Sequence, residues 1–175
     1  MVLVIKASSE PQSWQAANIA KEPKYSQDSK PKEVPVTPTI TTCCTHGAWN
    51  PESRNGGMGW VISNPEGATI RESSSARRFV SSALRVEVLA ILSALREAIS
   101  LEIKDMHIQS DSEVLINVIT KGSELIEIAG ILDDIWSIVP LFTSIFFSFI
   151  NRSANILVDG LAKSVIFSLG PMGHA

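Results

Sequence analysis

Residues 41–72 read TTCCTHGAWNPESRNGGMGWVISNPEGATIRE, three β-prone runs separated by a polar loop and a turn. Thr41–Trp49 and Gly59–Ser63 carry β-branched and aromatic residues typical of strands. The turn, residues 64–67, suits its position because Pro fixes φ and Gly tolerates a positive φ. The stretch therefore predicts an antiparallel meander whose third strand is Ala68–Glu72, followed by a polar loop over Ser73–Ser82.

The residues that follow alternate between helical and strand patterns. In Ala83–Leu101, apolar residues recur every three to four positions, which predicts a helix. The later elements are predicted as the strand Lys104–Ser110, a helix through Thr120 opened by a capping box of Ser110 and Glu113, the helix Glu124–Val139, the strand Phe142–Ile150 and the helix Asn155–Phe167.

This order predicts an α/β fold. We expect a five-stranded mixed sheet, made of the three-strand antiparallel meander plus two parallel strands, with helices on both faces. Thr41–Trp49 is expected at the centre of the sheet, between the hairpin on one side and Lys104–Ser110 on the other.

The charge and cysteine content limit the class of protein. Lys and Arg total 15 against 18 Asp and Glu, a net charge of −3 over 175 residues. This argues against a protein that binds nucleic acid by bulk charge, although not against a local basic patch. Cys43 and Cys44 are adjacent, so they cannot close a disulfide loop, and no zinc-type spacing is present. We therefore expect an intracellular protein, nuclear or cytoplasmic.

Residues 1–40 differ in composition from the rest of the chain. They contain Pro at positions 11, 23, 31, 35 and 38 and none of the ten glycines, which predicts a mostly disordered N-terminal tail or linker before one domain over residues 41–170. The apolar run that opens the chain is too short for a signal peptide. The longest uncharged stretch, Ile135–Ile150, contains Pro140 and is shorter than the about 20 residues of a membrane-spanning helix. Neither a signal peptide nor a transmembrane segment is expected.

Three acidic residues lie at or near the ends of predicted elements. Glu87 has apolar neighbours three and four positions away on its helix, so a polar partner or a metal ion must offset its burial. Asp111 follows a strand and precedes a helix, where a helix-capping role explains an acid equally well. Asp159 precedes Lys163 by four residues, the spacing of an ordinary solvated ion pair. As a set, they supply the carboxylate oxygens that Mg²⁺ prefers, on three elements that can meet at one edge of the sheet.

Several runs, in this order and spacing, resemble the ribonuclease H-like domain of plant non-LTR retroelements and their cellular relatives. They are GAW (47–49), GMGWVI (57–62), SALRVE (82–87), SDS (110–112), ILDDI (131–135) and RSANILVDGLAK (152–163). The resemblance covers about residues 40–168. It implies the ribonuclease H-like fold and an endoribonuclease, a hydrolase that cuts the RNA strand of RNA–DNA hybrids with four carboxylates around two Mg²⁺ ions. Glu87, Asp111 and Asp159 then match the second, third and fourth acids, as catalytic residues and metal ligands.

The first acid of this family pattern is replaced. Its position, three residues before Trp49, holds His46. A neutral imidazole offers one free nitrogen and no negative charge, so it cannot bridge two ions, and Mg²⁺ prefers oxygen ligands. We therefore expect weakened Mg²⁺ binding and impaired catalysis, with one Mn²⁺ or Zn²⁺ ion as the alternative. Val158, where the family pattern has Ala, adds crowding beside Asp159.

Nucleic-acid binding is assigned to four arginines between the third strand and the first helix, where an ordinary solvated loop is the alternative reading. They are Arg71, Arg77, Arg78 and Arg85. Selectivity for an RNA strand would come from duplex shape and contacts to 2′-hydroxyl groups. Three hypotheses follow: a ribonuclease H-type nuclease, intact or impaired; a catalytically dead module of the same fold that binds nucleic acid or protein; and an unrelated α/β binding domain.

Overall fold

The computed structural model describes residues 3–6 and 40–170. Its elements alternate as the sequence order predicts, with short 3₁₀ turns before and after α3 and before α4. The strands are β1 (Leu3–Lys6), β2 (Thr41–Trp49), β3 (Gly56–Ser63), β4 (Thr69–Arg77), β5 (Asp105–Ser110) and β6 (Ser144–Phe149). The helices are α1 (Ala83–Ser100), α2 (Glu113–Lys121), α3 (Ala129–Ile138) and α4 (Ile156–Ser168).

All six strands form one mixed sheet in the order β1-β6-β5-β2-β3-β4. The meander β2-β3-β4 is antiparallel, and β5 runs parallel to both β2 and β6. The prediction that β2 lies between the hairpin and β5 is confirmed. The ribonuclease H-like sheet is also confirmed, and this strand order excludes the unrelated α/β domain.

Three boundaries differ from the sequence prediction. β4 continues through Arg77, because it pairs with the whole of β3 up to Gly56; an exposed edge strand accepts the polar residues that resembled a loop. Ser112, not Ser110, caps α2, and its side chain accepts a hydrogen bond from the Leu115 amide. The predicted helix from Glu124 is shorter, because a 3₁₀ turn precedes α3.

A sixth strand was not expected from the sequence. Leu3–Lys6 pairs antiparallel with β6, from Leu3 opposite Phe147 to Lys6 opposite Ser144. This strand extends the five-stranded sheet at the edge formed by β6. Residues 7–39, which make up most of the predicted tail, lie outside the described residues.

The helices α1 and α4 pack on opposite faces of the sheet. A Cβ atom at Gly47 would lie 2.5 Å from the Glu87 nitrogen of α1, and one at Gly57 would lie 1.9 Å from the Ala162 carbonyl oxygen of α4. Gly47 pairs with Met58, so Gly57 faces the other side of the sheet. The predicted two-sided arrangement of helices is therefore confirmed. None of the helices within the described ranges is both long and apolar enough to span a membrane.

Candidate active site

Four side chains from four elements meet beside the end of β5. His46 lies in β2, Glu87 in the second turn of α1, Asp111 directly after β5 and Asp159 in the first turn of α4. β5 ends at Ser110, which pairs with Thr45, so Asp111 emerges next to His46. The structure thus brings together every residue predicted for the catalytic and metal-binding cluster.

Close glycine contacts allow the two helices to approach His46. Gly47 brings α1 against β2, and its amide donates a 2.8 Å hydrogen bond to Glu87 Oε2. Gly59, which pairs with His46, admits α4: a Cβ atom there would lie 2.7 Å from the Val158 carbonyl oxygen. Larger residues at either position would push Glu87 or Asp159 away from the cluster.

His46 contacts all three carboxylates. Its Nδ1 lies 2.9 Å from Asp111 Oδ1 and 3.5 Å from Glu87 Oε1, and its Nε2 lies 3.1 Å from Asp159 Oδ1. The histidine is 2% exposed, and the Asp111 side chain is 4% exposed. The imidazole therefore lies inside the acidic cluster, with a carboxylate against each ring nitrogen.

Asn155 completes the cluster and was not predicted as a site residue. Its Nδ2 donates to the Thr45 carbonyl at 3.0 Å and to Asp111 Oδ1 at 3.2 Å, and the residue is 1% exposed. It therefore holds the Asp111 carboxylate against the sheet. A polar residue four positions before Asp159, at the start of the last helix, was the only sequence signal for this role.

The surroundings shift the pKa values of two of the acids in opposite directions. Burial, and then the nearby charge of Asp111, raise the pKa of Glu87 to about 8, against the hydrogen bond from the Gly47 amide. Burial alone would raise the pKa of Asp159, but the hydrogen bond from Lys163 and the neighbouring cations lower it below its usual value. The Asp159–Lys163 ion pair, at 2.7 Å, was predicted from the four-residue spacing and is present.

The donor set does not match a bridged pair of Mg²⁺ ions. One ligand atom each from His46, Glu87 and Asp111 lie within 4.8 Å of one another, which is compact enough for a single ion. A second ion needs a bridging carboxylate on β2, and His46 supplies nitrogen instead of oxygen there. The ring also stands between Asp111 and Asp159, so it would have to move before an ion could contact both.

A cleft of about 520 Å³ opens beside the cluster. Its lining is partly apolar and partly charged, and consists of Ala83, Leu84, Glu87, Asp111, Ser112, Val114 and Arg152. Arg152 is mostly exposed, and its Nε lies 3.7 Å from Asp111 Oδ2. The cluster is therefore reached from one side, where a cation lies beside the acids.

The four predicted nucleic-acid-binding arginines do not form one group. Arg71 pairs with Glu97 at 3.3 Å, Arg78 donates to the Leu169 carbonyl, and Arg85 donates to the Glu127 carbonyl. Arg77, at the end of β4, is exposed, and within the described residues its side chain has no hydrogen bond or ion pair. The sequence showed their proximity along the chain but not these separate partners.

Comparison with known proteins gives a consistent result. A family model described as reverse transcriptase-like matches residues 44–165. RNase H1 from the halophilic archaeon Halobacterium salinarum NRC-1 is similar in structure, with a TM-score of 0.70, 17% identity, and coverage of 74% of this chain and 98% of that one. No curated protein matches the chain.

Two further solved structures are similar. One is an N-terminal RNase H domain from Mycobacterium tuberculosis, a fusion with maltose-binding protein, with a TM-score of 0.68, 16% identity, and coverage of 74% of this chain and 95% of that one. The other is LC11-RNase H1, from compost, in complex with an RNA/DNA hybrid, with a TM-score of 0.67, 20% identity, and coverage of 74% and 98%. At these identities the likeness shows the ribonuclease H-like fold.

Proposed function

Because the chain belongs to the reverse transcriptase-like family, we propose that it is a ribonuclease H-like domain that binds RNA–DNA hybrids and whose hydrolytic centre is impaired at His46. The observation that carries the impairment is the position of the imidazole among Glu87, Asp111 and Asp159, with ring nitrogens 2.9 and 3.1 Å from two of the carboxylates. Hybrid binding is supported by the RNA/DNA hybrid complex of LC11-RNase H1.

The reaction that the resemblance implies is endonucleolytic hydrolysis of the RNA strand, for which Mg²⁺ would supply the activated water and the charge on the leaving oxygen. The chain's own residues hold the acids in place for this role. Gly47 and Asn155 donate hydrogen bonds to Glu87 and Asp111, and Lys163 pairs with Asp159. Without a carboxylate at position 46, we expect Mg²⁺-dependent cleavage to be very slow or absent; Mn²⁺ at a single-ion site is the variant of this proposal that retains activity.

A second candidate function is a catalytically dead module that binds nucleic acid or protein. The same contacts of His46 favour it, because they occupy both ring nitrogens with carboxylates. An origin in a plant non-LTR retroelement and an intracellular location, nuclear or cytoplasmic, belong to the same proposal. The intracellular part agrees with the two free cysteines, which suit a reducing compartment.

Binding and cleavage of a labelled RNA–DNA hybrid test the proposal together. We expect fluorescence anisotropy to show binding of the hybrid in preference to duplex DNA of the same sequence, and gel analysis with Mg²⁺ to show little or no cleavage. Brisk cleavage by the unmodified chain would overturn the impairment. Absence of hybrid binding by a folded protein would overturn the nucleic-acid function and leave protein binding as the role of the module.

A further inference from the structure

Two loops beside α1 hold an arginine and a phenylalanine in an unusual backbone conformation. Arg54 has a φ of 55° and Phe79 a φ of 59°, in the left-handed region that bulky residues rarely adopt. The Val80 amide donates to the Arg54 carbonyl at 2.8 Å, and the Trp49 indole donates to the Val80 carbonyl at 3.0 Å. These bonds join the two loops and fix the backbone beside both residues.

The outer surface of these loops combines cations with an aromatic ring. Phe79 is 65% exposed. Arg77 lies two residues before it and pairs across the sheet with Gly56, which follows Arg54 by two residues. Arg54 and Arg77 are both exposed, and among the described residues neither side chain has a hydrogen bond or ion pair. We call Arg54, Arg77 and Phe79 the arginine–phenylalanine patch.

The patch has the chemistry of a single-strand site. Arginines that are free of internal partners can contact phosphates. An exposed ring adds stacking, but bases within a duplex already stack on one another, so the ring can accept only an unpaired base. Glu52 is the one acid within residues 50–56, so two free arginines leave the surface positive.

We infer that the arginine–phenylalanine patch binds a single-stranded extension of the nucleic acid, with phosphates on Arg54 and Arg77 and an unpaired base on Phe79. This inference rests on the proposed hybrid-binding function. It adds a second contact surface outside the acidic cluster, and it predicts a preference for hybrids that end in a single-stranded segment.

The test compares a blunt RNA–DNA hybrid with the same hybrid carrying a single-stranded RNA extension of about ten nucleotides, within the roughly 4–16 nucleotides of known single-strand sites. Affinities are measured by fluorescence anisotropy across a salt series. We expect the unmodified chain to bind the extended hybrid more tightly. Phe79→Asn, whose new residue tolerates a positive φ, should lower the affinity for the extended hybrid by roughly fivefold or more and leave the blunt hybrid unchanged.

The charge contribution is tested with the double variant Arg54→Ala/Arg77→Ala. Its dependence of log affinity on log salt for the extended hybrid should be shallower by about two. The matched control is Lys104→Ala/Lys121→Ala, which removes two exposed cations elsewhere and should change this slope less. A slope that changes equally in both double variants would show bulk charge only and overturn the inference.

Two other outcomes separate this inference from the proposed function. If the unmodified chain binds the blunt hybrid but gains nothing from the extension, the patch is not a single-strand site and the hybrid-binding function stands. If the folded chain binds neither hybrid, both proposals are wrong. Circular dichroism of each variant verifies that it is folded.

Discussion

His46 Nδ1 and Nε2 lie 2.9 Å from Asp111 and 3.1 Å from Asp159, in the space where a carboxylate with bound cations would complete a two-ion centre. The ring is nearly fully buried, and Asn155 supports Asp111 from behind. These contacts give the cluster an internal arrangement that does not depend on a bridging acid. The consequences for metal binding and for stability can be measured separately.

Metal binding is tested by the effect of Mg²⁺ on thermal unfolding. In His46→Asp, four carboxylates face one another, so without divalent ions we expect a loss of about 2 kcal/mol or more of unfolding free energy. Added Mg²⁺ should raise the Tm of this variant, since a ligand that binds the folded state stabilises it, and should change the Tm of the unmodified chain little. His107→Asp, which adds an acid on β5 outside the cluster, is the control. An equal Mg²⁺ effect on the unmodified chain would contradict the weakened site.

Glu87 gives the stability a specific pH dependence. Its pKa is raised from 4.5 to about 8 in the folded chain, so between these values the folded state retains a proton that the unfolded chain has lost. The free energy of unfolding therefore falls as pH rises through this window, by up to about 1.4 kcal/mol per pH unit. Glu87→Gln should remove this slope in urea unfolding measured across the window. Glu113→Gln, on an exposed acid of α2, should keep it, and equal slopes in the unmodified chain and Glu87→Gln would contradict the shift.

At the scale of elements, periodicity and turn chemistry predicted most of the strands and helices. The bounds of β2 match the prediction because Thr41–Trp49 is β-prone from end to end. The length of β4 could not be predicted, since its polar residues extend along an exposed edge where pairing with β3, not burial, holds them. The strand Leu3–Lys6 depends on a partner, β6, that lies far away in the sequence.

The contact between β3 and α4 is the element-scale feature that places Asp159. A Cβ atom at Gly57 would lie 1.9 Å from the Ala162 carbonyl oxygen, and backbone cannot yield as a flexible side chain would. Gly57→Ala should therefore lower the unfolding free energy by about 3 kcal/mol or more. Gly160→Ala, also in α4 but with nothing within 4 Å of the new Cβ atom, should be neutral or stabilise by up to about 1 kcal/mol. Equal effects in thermal unfolding would show that α4 does not pack on Gly57 in this way.

At the scale of the whole molecule, the order of elements and the family resemblance together located the site. The resemblance assigned Glu87, Asp111 and Asp159, and the sheet topology explains their meeting, because β5 ends beside β2 while α1 and α4 cover opposite faces. Neither could predict that His46 contacts all three acids or that Asn155 holds Asp111, since both depend on side-chain positions across four elements. The separate partners of Arg71, Arg78 and Arg85 were hidden for the same reason.

Cleavage of a labelled RNA–DNA hybrid by His46→Asp with Mg²⁺ tests the central claim most directly. Restoring a bridging carboxylate gives each ion a ligand at once, so we expect cleavage to rise at least about tenfold over the unmodified chain, a change of about 1.4 kcal/mol in the barrier. Asp111→Asn in the same background should abolish the gained activity. Brisk cleavage by the unmodified chain, or no gain in a folded His46→Asp protein, would contradict the account of His46 as the lesion in this site.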